Sequence, residues 1–252
     1  MEWKIIHIDE TDSTNRWLRE RANSQQLNAN CQRLRVGEQS SGMTPIAVWA
    51  DFQTAGKGQG SNTWESERGK NLLFSILFHP DGVLANRQFS ISMAISMAVI
   101  NALSQQIGNL SVKWPNDIYW QNAKIGGILI ENRLQGQMIK DSIIGVGINV
   151  NQREFHSDAP NPVSLWQIHG HETDRELLLH NILDRFSHCM ERDVRDDYMR
   201  MLYRRKGFHP YCDGDGTFMA ELVDVEEDGH LMLRDDNGRD RRYAFKEVQF
   251  IT

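Results

Sequence analysis

The sequence is poor in the features that mark secreted, membrane-spanning or nucleic-acid-coating chains. Cysteine is scarce: 3 in 252 residues, Cys31, Cys189 and Cys212, far apart and without a Cys-x-x-Cys pair. An odd, scattered count fits free thiols in a reducing cytoplasm and argues against a catalytic cysteine. No apolar run reaches the roughly 18 to 20 residues needed to cross a bilayer. Met1-Glu2-Trp3-Lys4 leads straight into a strand-like segment, with none of the basic, apolar and small-residue order of a secretory signal. Positive charge is short too, with 28 Lys and Arg against 34 Asp and Glu, a net −6. That disfavours nucleic acid or an acidic membrane as a partner for the whole surface and leaves room for a local basic site. No internal repeat or low-complexity tract is present. The expectation is a cytoplasmic protein with no membrane and no nucleic-acid partner.

What is present is a chain with 40% apolar residues, long enough for one large core and a smaller second unit. Strands are expected at 3–8, 31–37 and 46–51, and a helix after Asp12 or Ser13, either of which can cap it. The run Asn71 to Phe78 is too continuously apolar to have a solvated face, so it reads as a central strand covered on both sides. A helix is expected over about 87–106, where apolar residues from Phe89 to Leu103 give one broad buried stripe. Strands follow at 111–113, 118–120, 124–131 and 140–150, then a loop over 153–173. A helix is expected over 175–205, with a break near Asp193. After Gly207 the texture changes to short strands at 217–225, 230–234, 241–245 and 248–251, separated by Asp228-Gly229 and Asp235-Asp-Asn-Gly238 turns.

Chemistry concentrates in three clusters. Gln53-Thr-Ala-Gly-Lys-Gly-Gln-Gly-Ser-Asn-Thr-Trp64 holds glycines at 56, 58 and 60 around Lys57, which suits close backbone approach to an anion. It is neither a P-loop nor a dinucleotide-binding fingerprint. Lys113-Trp-Pro-Asn-Asp117 and Lys124-Ile-Gly-Gly-Ile128 add lysines that can neutralise a carboxylate or a developing phosphate charge. Each part also has an ordinary reading, as surface lysine, core tryptophan or Asn-Asp turn. His169 and His171 lack an acid or thiol at metal-ligand spacing, and no metal ligands are assigned.

Taken in order, Thr11-Asp-Ser-Thr-Asn15, the loop with Trp64, Lys113 to Asp117, Lys124 to Glu131 and Gly145-Val-Gly-Ile-Asn-Val-Asn151 resemble the biotin–protein ligases. The resemblance implies an α+β fold. A mixed sheet with packed helices, related to class II aminoacyl-tRNA synthetase catalytic domains, would occupy residues 1–206, and a small SH3-like β-barrel residues 207–252. It implies ATP-dependent formation of biotinyl-5′-AMP with Mg²⁺, then transfer of biotin to a lysine of a biotin carboxyl carrier domain. By the same resemblance, Lys124 and Asp117 are catalytic. Ser13, Thr14, Asn15, Gln53, Gly56, Lys57, Lys124, Gly126, Gly127 and Ile128 bind biotin, and Lys57, Gly58, Gln59, Trp64, Lys113, Asn116 and Asn149 lie on the nucleotide side. Monomer and homodimer both remain open.

Two departures from the family pattern matter. Its loop commonly carries several arginines, where this chain has Lys57, Gln59, Gly60, Ser61 and Asn62; fewer bidentate phosphate contacts predict a looser hold on biotinyl-5′-AMP. Some members carry an N-terminal helix-turn-helix domain, and none precedes the catalytic motifs here, so operator binding is expected to be absent. A lipoate or octanoate ligase or transferase is the alternative within the same fold, and a noncatalytic carrier-binding or DNA-regulatory protein the alternative outside enzymology.

Overall fold

The computed structural model describes residues 1–22, 44–60, 62–156 and 161–251. The strand expected at 31–37 and Cys31 lie outside the described residues. Seven strands form one mixed sheet: β1 (Lys4–Thr11), β2 (Ile46–Gln53), β3 (Leu72–Phe78), β4 (Leu110–Lys113), β5 (Asp117–Trp120), β6 (Ala123–Gln135) and β7 (Met138–Ile148). Their order is β1-β2-β3-β7-β6-β5-β4. β1 and β2 run parallel, and the other neighbours antiparallel.

All seven residues of β3 are buried, as its apolar run demands. Strand alternation divides them between two faces. Leu77 joins Ile143 and Leu18, from helix α1 (Thr14–Ala22), on one face, while Phe74, Ile76 and Phe78 enter the principal core on the other. That second face carries helices α2 (Phe89–Leu103) and α4 (Arg175–Met190). Helix α2 departs from the expected single stripe. Twelve of its fifteen residues are buried, because it is covered by the sheet on one side and by α4 on the other.

The helical region breaks where expected: Asp193 lies between α4 and α5 (Arg195–Arg200), and its Oδ1 accepts from the Arg195 N–H at 2.9 Å. The 153–173 segment contains one helix that periodicity did not reveal, α3 (Leu165–His169). Ser164 and Gln167 close a reciprocal capping box at its start, and Gly170 ends it at φ +81°.

The C-terminal portion has β8 (His209–Asp213), β9 (Gly216–Val225), β10 (Leu231–Asp235), β11 (Asp240–Tyr243) and β12 (Gln249–Phe250), in the order β11-β10-β9-β8-β12. β8 was not expected. The expected SH3-like β-barrel is not what forms. β11 has four residues and β12 two, and between them an Ala244–Glu247 turn carries the chain away. No pairing among the described residues joins the two edges, so the sheet stays open. This sheet shares the principal core: Tyr211, Leu222, Leu231 and Leu233 belong to the same buried cluster as Val112, Trp114 and Tyr198. Trp114 Nε1 also donates to Gly229 O at 2.9 Å, across to the β9–β10 turn. Among the described residues no helix is long and apolar enough to cross a membrane.

Candidate active site

The site lies on the α1 face of the large sheet, where β7 exchanges bulk for bare backbone. Ile143 packs against α1, but the next two positions on that face are Gly145 and Gly147. Gly147 pairs in register with Gly127 of β6. A Cβ at Gly145 would lie 2.3 Å from Asn15 Oδ1, and one at Gly147 would lie 2.6 Å from Trp64 Cε2. The glycines therefore make room for two side chains that belong to other segments. A cleft of about 230 Å³ opens here, lined at one end by Thr14, Asn15 and Gln53 and at the other by Asp117 and Lys124.

The first end is a hydrogen-bonded hub. Gln53, at the end of β2, accepts from the Thr14 N–H at 2.8 Å and from the Thr14 hydroxyl at 3.1 Å. The first-turn donor of α1 is thus satisfied by a distant side chain. Ser75 Oγ lies 2.6 Å from both Thr14 Oγ1 and Asn15 Oδ1, and its one hydrogen can serve only one of them at a time. Asn15 Nδ2 donates to Glu131 Oε2 at 2.8 Å, and Glu131 pairs with Arg19. Ser13, Thr14, Asn15 and Ser75 are all buried. Such a hub presents mixed donors and acceptors to a neutral polar ring.

The second end is charged. Lys124 Nζ lies 2.6 Å from Asp117 Oδ1, each side chain about a quarter exposed. A bulge explains how they meet. The β5–β6 register shifts at Ile118/Tyr119, so that Tyr119 faces Lys124; the extra residue turns the lysine onto the face of Gly127. Its Cε comes within 3.4 Å of the position a Gly127 Cβ would take. The Lys124 backbone is clamped as well, its N–H donating to Asn161 O and its carbonyl accepting from Val163 N–H. Asn149 Nδ2 braces that clamp by donating to Val163 O at 3.1 Å.

The glycine loop folds over the cleft as a small hairpin. Lys57 bridges to Thr63, Gly58 N–H donates to Asn62 O and Trp64 N–H to Gly56 O. Trp64 lays its indole on the Gly127–Gly147 pair, with Lys124 Nζ 5.9 Å from the ring centroid. Among the described residues Trp64 Nε1 and Gln59 Oε1 are buried without a hydrogen-bond partner, which leaves one donor and one acceptor for a ligand.

The cleft gathers Ser13, Thr14, Asn15, Gln53, Lys57, Gly58, Gln59, Trp64, Asn116, Asp117, Lys124, Gly127 and Ile128. Gly56, Gly126, Lys113 and Asn149 do not line it. Gly56 packs on the Trp64 backbone, and Gly126 backs onto Gly147 O and Ile118. Lys113 donates to Tyr119 Oη at 3.1 Å, and burial lowers its pKa, while burial pushes Tyr119 up to about 12. Asn116 lines the cleft but spends its amide on Ile128 O at 2.6 Å.

Sequence reasoning missed Ser75 and Phe245. A lone hydroxyl within the apolar run of β3 was the signal for the first. Phe245 had none, since it reaches the cleft only through the packing of the small sheet.

Residues 8–149 match the model of the biotin/lipoate A/B protein ligase family. The bifunctional ligase/repressor BirA of Bacillus subtilis is 30% identical over 220 residues, covering 78% of this chain and 64% of that protein. This chain therefore spans somewhat under two thirds of the length of that relative. The biotin–[acetyl-CoA-carboxylase] ligase of Paracoccus denitrificans is 29% identical over 209 residues, covering 76% of this chain and 85% of its own. Among solved structures, a biotin protein ligase from Aquifex aeolicus in complex with biotin and ATP superimposes with a TM-score of 0.73 at 25% identity, covering 98% of this chain and 99% of the other. On the match over 8–149, and with these relatives on its biotin side, this chain belongs to the biotin/lipoate A/B protein ligase family.

Proposed function

We propose that the protein is an ATP-dependent biotin–protein ligase acting in the cytoplasm. The observation that carries this is the division of one cleft into a neutral hub at Thr14, Asn15 and Gln53 and a charged pair at Lys124–Asp117, joined by a glycine floor that seats Asn15 and the Trp64 indole. A ureido ring suits the hub, a slender aliphatic chain the narrow stretch between the two ends, and a carboxylate the lysine. In the first step a biotin carboxylate oxygen bonds to the α-phosphorus of ATP, and the bond to the leaving pyrophosphate breaks. In the second, a carrier lysine amine bonds to the acyl carbon, the C–O bond breaks and AMP departs with the electron pair. Lys124 neutralises the carboxylate and then the acyl-phosphate oxygen. Asp117 holds that lysine and is placed to take the proton of the incoming amine. Trp64 and the loop carry the nucleotide side with Lys57, Gly58, Gln59 and Asn116, and exclude water from the mixed anhydride. Lys113 and Asn149 act as supports outside the cleft.

Magnesium fits this site as an ion delivered with the nucleotide. Among the described residues Asp117 is the one carboxylate lining the cleft, and two groupings able to hold a cation, His7-Asp9-Asp51 and Glu226-Asp228-His230, contribute no residue to its lining. Asp117 is the residue that would hold the ion, which would offset the charge on the phosphates. We assign residues 1–206 as the catalytic unit and 207–252 as the C-terminal unit. The acceptor this reading implies is a biotin carboxyl carrier domain, and the net charge of −6 disfavours a nucleic acid.

The test is incorporation of labelled biotin into a purified carrier domain, with and without ATP and Mg²⁺, in wild type and Lys124→Ala. ATP-dependent labelling that drops about a hundredfold or more in the variant, with unchanged circular dichroism, is expected. Transfer of lipoate or octanoate alone would overturn the substrate, and no transfer at all would overturn the ligase.

A further inference from the structure

We infer that Lys246, carried by the small C-terminal sheet, binds the phosphates of the nucleotide at the tip of the glycine loop. The inference rests on the ligase reading and adds a residue that lies outside every motif of the catalytic region. A polyphosphate calls for several cations, and the loop itself supplies only Lys57. Lys124, 2.6 Å from Asp117, serves the carboxylate and the acyl-phosphate oxygen, and Lys113 donates to Tyr119 at 3.1 Å, away from the cleft.

Lys246 reaches the loop from the turn between β11 and β12. Its Nζ would lie 2.3 Å from a Cβ placed on Gly60, and its Cε 3.1 Å. The lysine therefore rests directly on the backbone of the loop tip, at the last of the loop's three glycines. Like Lys57, it has no carboxylate partner among the described residues. Its neighbour Phe245 lines the cleft and lies 6.3 Å, ring to ring, from Trp114.

The turn that presents it is built rather than loose. Ala244 N–H donates to Glu247 Oε2 at 2.7 Å and Glu247 N–H to Ala244 O at 3.2 Å. Lys246 holds φ at +73°, a conformation that glycine would take without steric cost. A lysine kept there against backbone preference, aimed at a glycine loop that lacks arginines, is a functional placement. It restores from another part of the chain a charge the loop lacks, so that loop closure and phosphate binding are joined through the C-terminal sheet.

The experiment measures biotin-dependent ATP–pyrophosphate exchange by wild type, Lys246→Gly and Lys246→Arg. Lys246→Gly removes the ammonium and relaxes the backbone, so a damaged turn cannot account for its effect. Its KM for ATP should rise about tenfold, with kcat within about twofold and biotin affinity unchanged by calorimetry, while Lys246→Arg stays near wild type. An unchanged KM for ATP in Lys246→Gly overturns the inference, as does failure of Lys246→Arg to restore it, or a raised KM for the carrier domain alone. A wild type without biotin-dependent exchange would instead overturn the ligase reading beneath it, an outcome visible before the variants are compared.

Discussion

Gly145→Ala tests whether the glycine floor is there to seat Asn15. The added methyl would sit 2.3 Å from Asn15 Oδ1, where ordinary contact begins at 3.4 Å, so the amide must retreat by about 1 Å. It has little room to do so, being held by Ser75 at 2.6 Å and Glu131 at 2.8 Å. Losing the bond to the Glu131 carboxylate costs ~1.5–3 kcal/mol and the Ser75 bond ~1 kcal/mol. Against this, replacing glycine stiffens the unfolded chain by ~0.5 kcal/mol. The net is a loss of about 2 to 3.5 kcal/mol, which moves a urea midpoint down by about 0.7 to 1.2 M at an m-value near 3 kcal/mol/M. Biotin affinity, read by calorimetry, should fall by about tenfold or more as the hub is disturbed. Gly108→Ala is the control, because nothing lies within 4 Å of its Cβ position. A Gly145→Ala protein with the midpoint of that control and wild-type biotin affinity would refute the reasoning.

Two further outcomes follow from the geometry. Gln59→Arg should slow escape of biotinyl-5′-AMP, since Gln59 lines the cleft and a guanidinium adds a bidentate phosphate contact; an equal burst of free intermediate from wild type and variant would contradict this. In the small sheet, the hydrogen bond from Tyr243 holds Asp213 below the usual carboxylate range, and the Arg239 backbone N–H does so for Asp235. Depressed carboxylates stabilise the fold above their unfolded value near 3.9 and lose that contribution as pH falls through their folded values. Thermal midpoints should therefore decline below about pH 4, and Asp213→Asn should lower the neutral-pH midpoint and flatten the acid limb. A decline centred near pH 6 would point to histidines instead.

Much of this fold was legible because single patterns decide it. The run Leu72 to Phe78 has no polar stripe, so β3 had to be covered twice. The turns at Asp228-Gly229 and Asp235 to Gly238 announced reversals that the structure makes, with both glycines at positive φ. Other parts depend on contacts that no local pattern encodes. β8 begins at His209-Pro210, a start that discourages a strand assignment, and it exists because β9 pairs with it. The short α3 offers too few residues for periodicity, although its Ser164-x-x-Gln167 box was there to be read. Turns likewise predict reversals without saying whether a sheet closes, and the barrel expectation failed on that point. At the site, motifs located segments better than side chains. Lys113 and Asn149 sit in the expected stretches yet turn toward Tyr119 and Val163, because strand direction at Pro115 and the end of β7 is set by tertiary packing.

The paired glycines at 127 and 147 also act as a gauge of thickness. Two strands lying side by side without side chains leave a strip of flat backbone, and in this structure an indole plane rests on it. Whatever takes that place must be about as thin as an aromatic ring or an unbranched methylene chain. A molecule with matching polar ends but a branch over this strip would be turned away by shape alone. Discrimination between acids of similar length would then come from a dimension along which the protein presents no functional group at all.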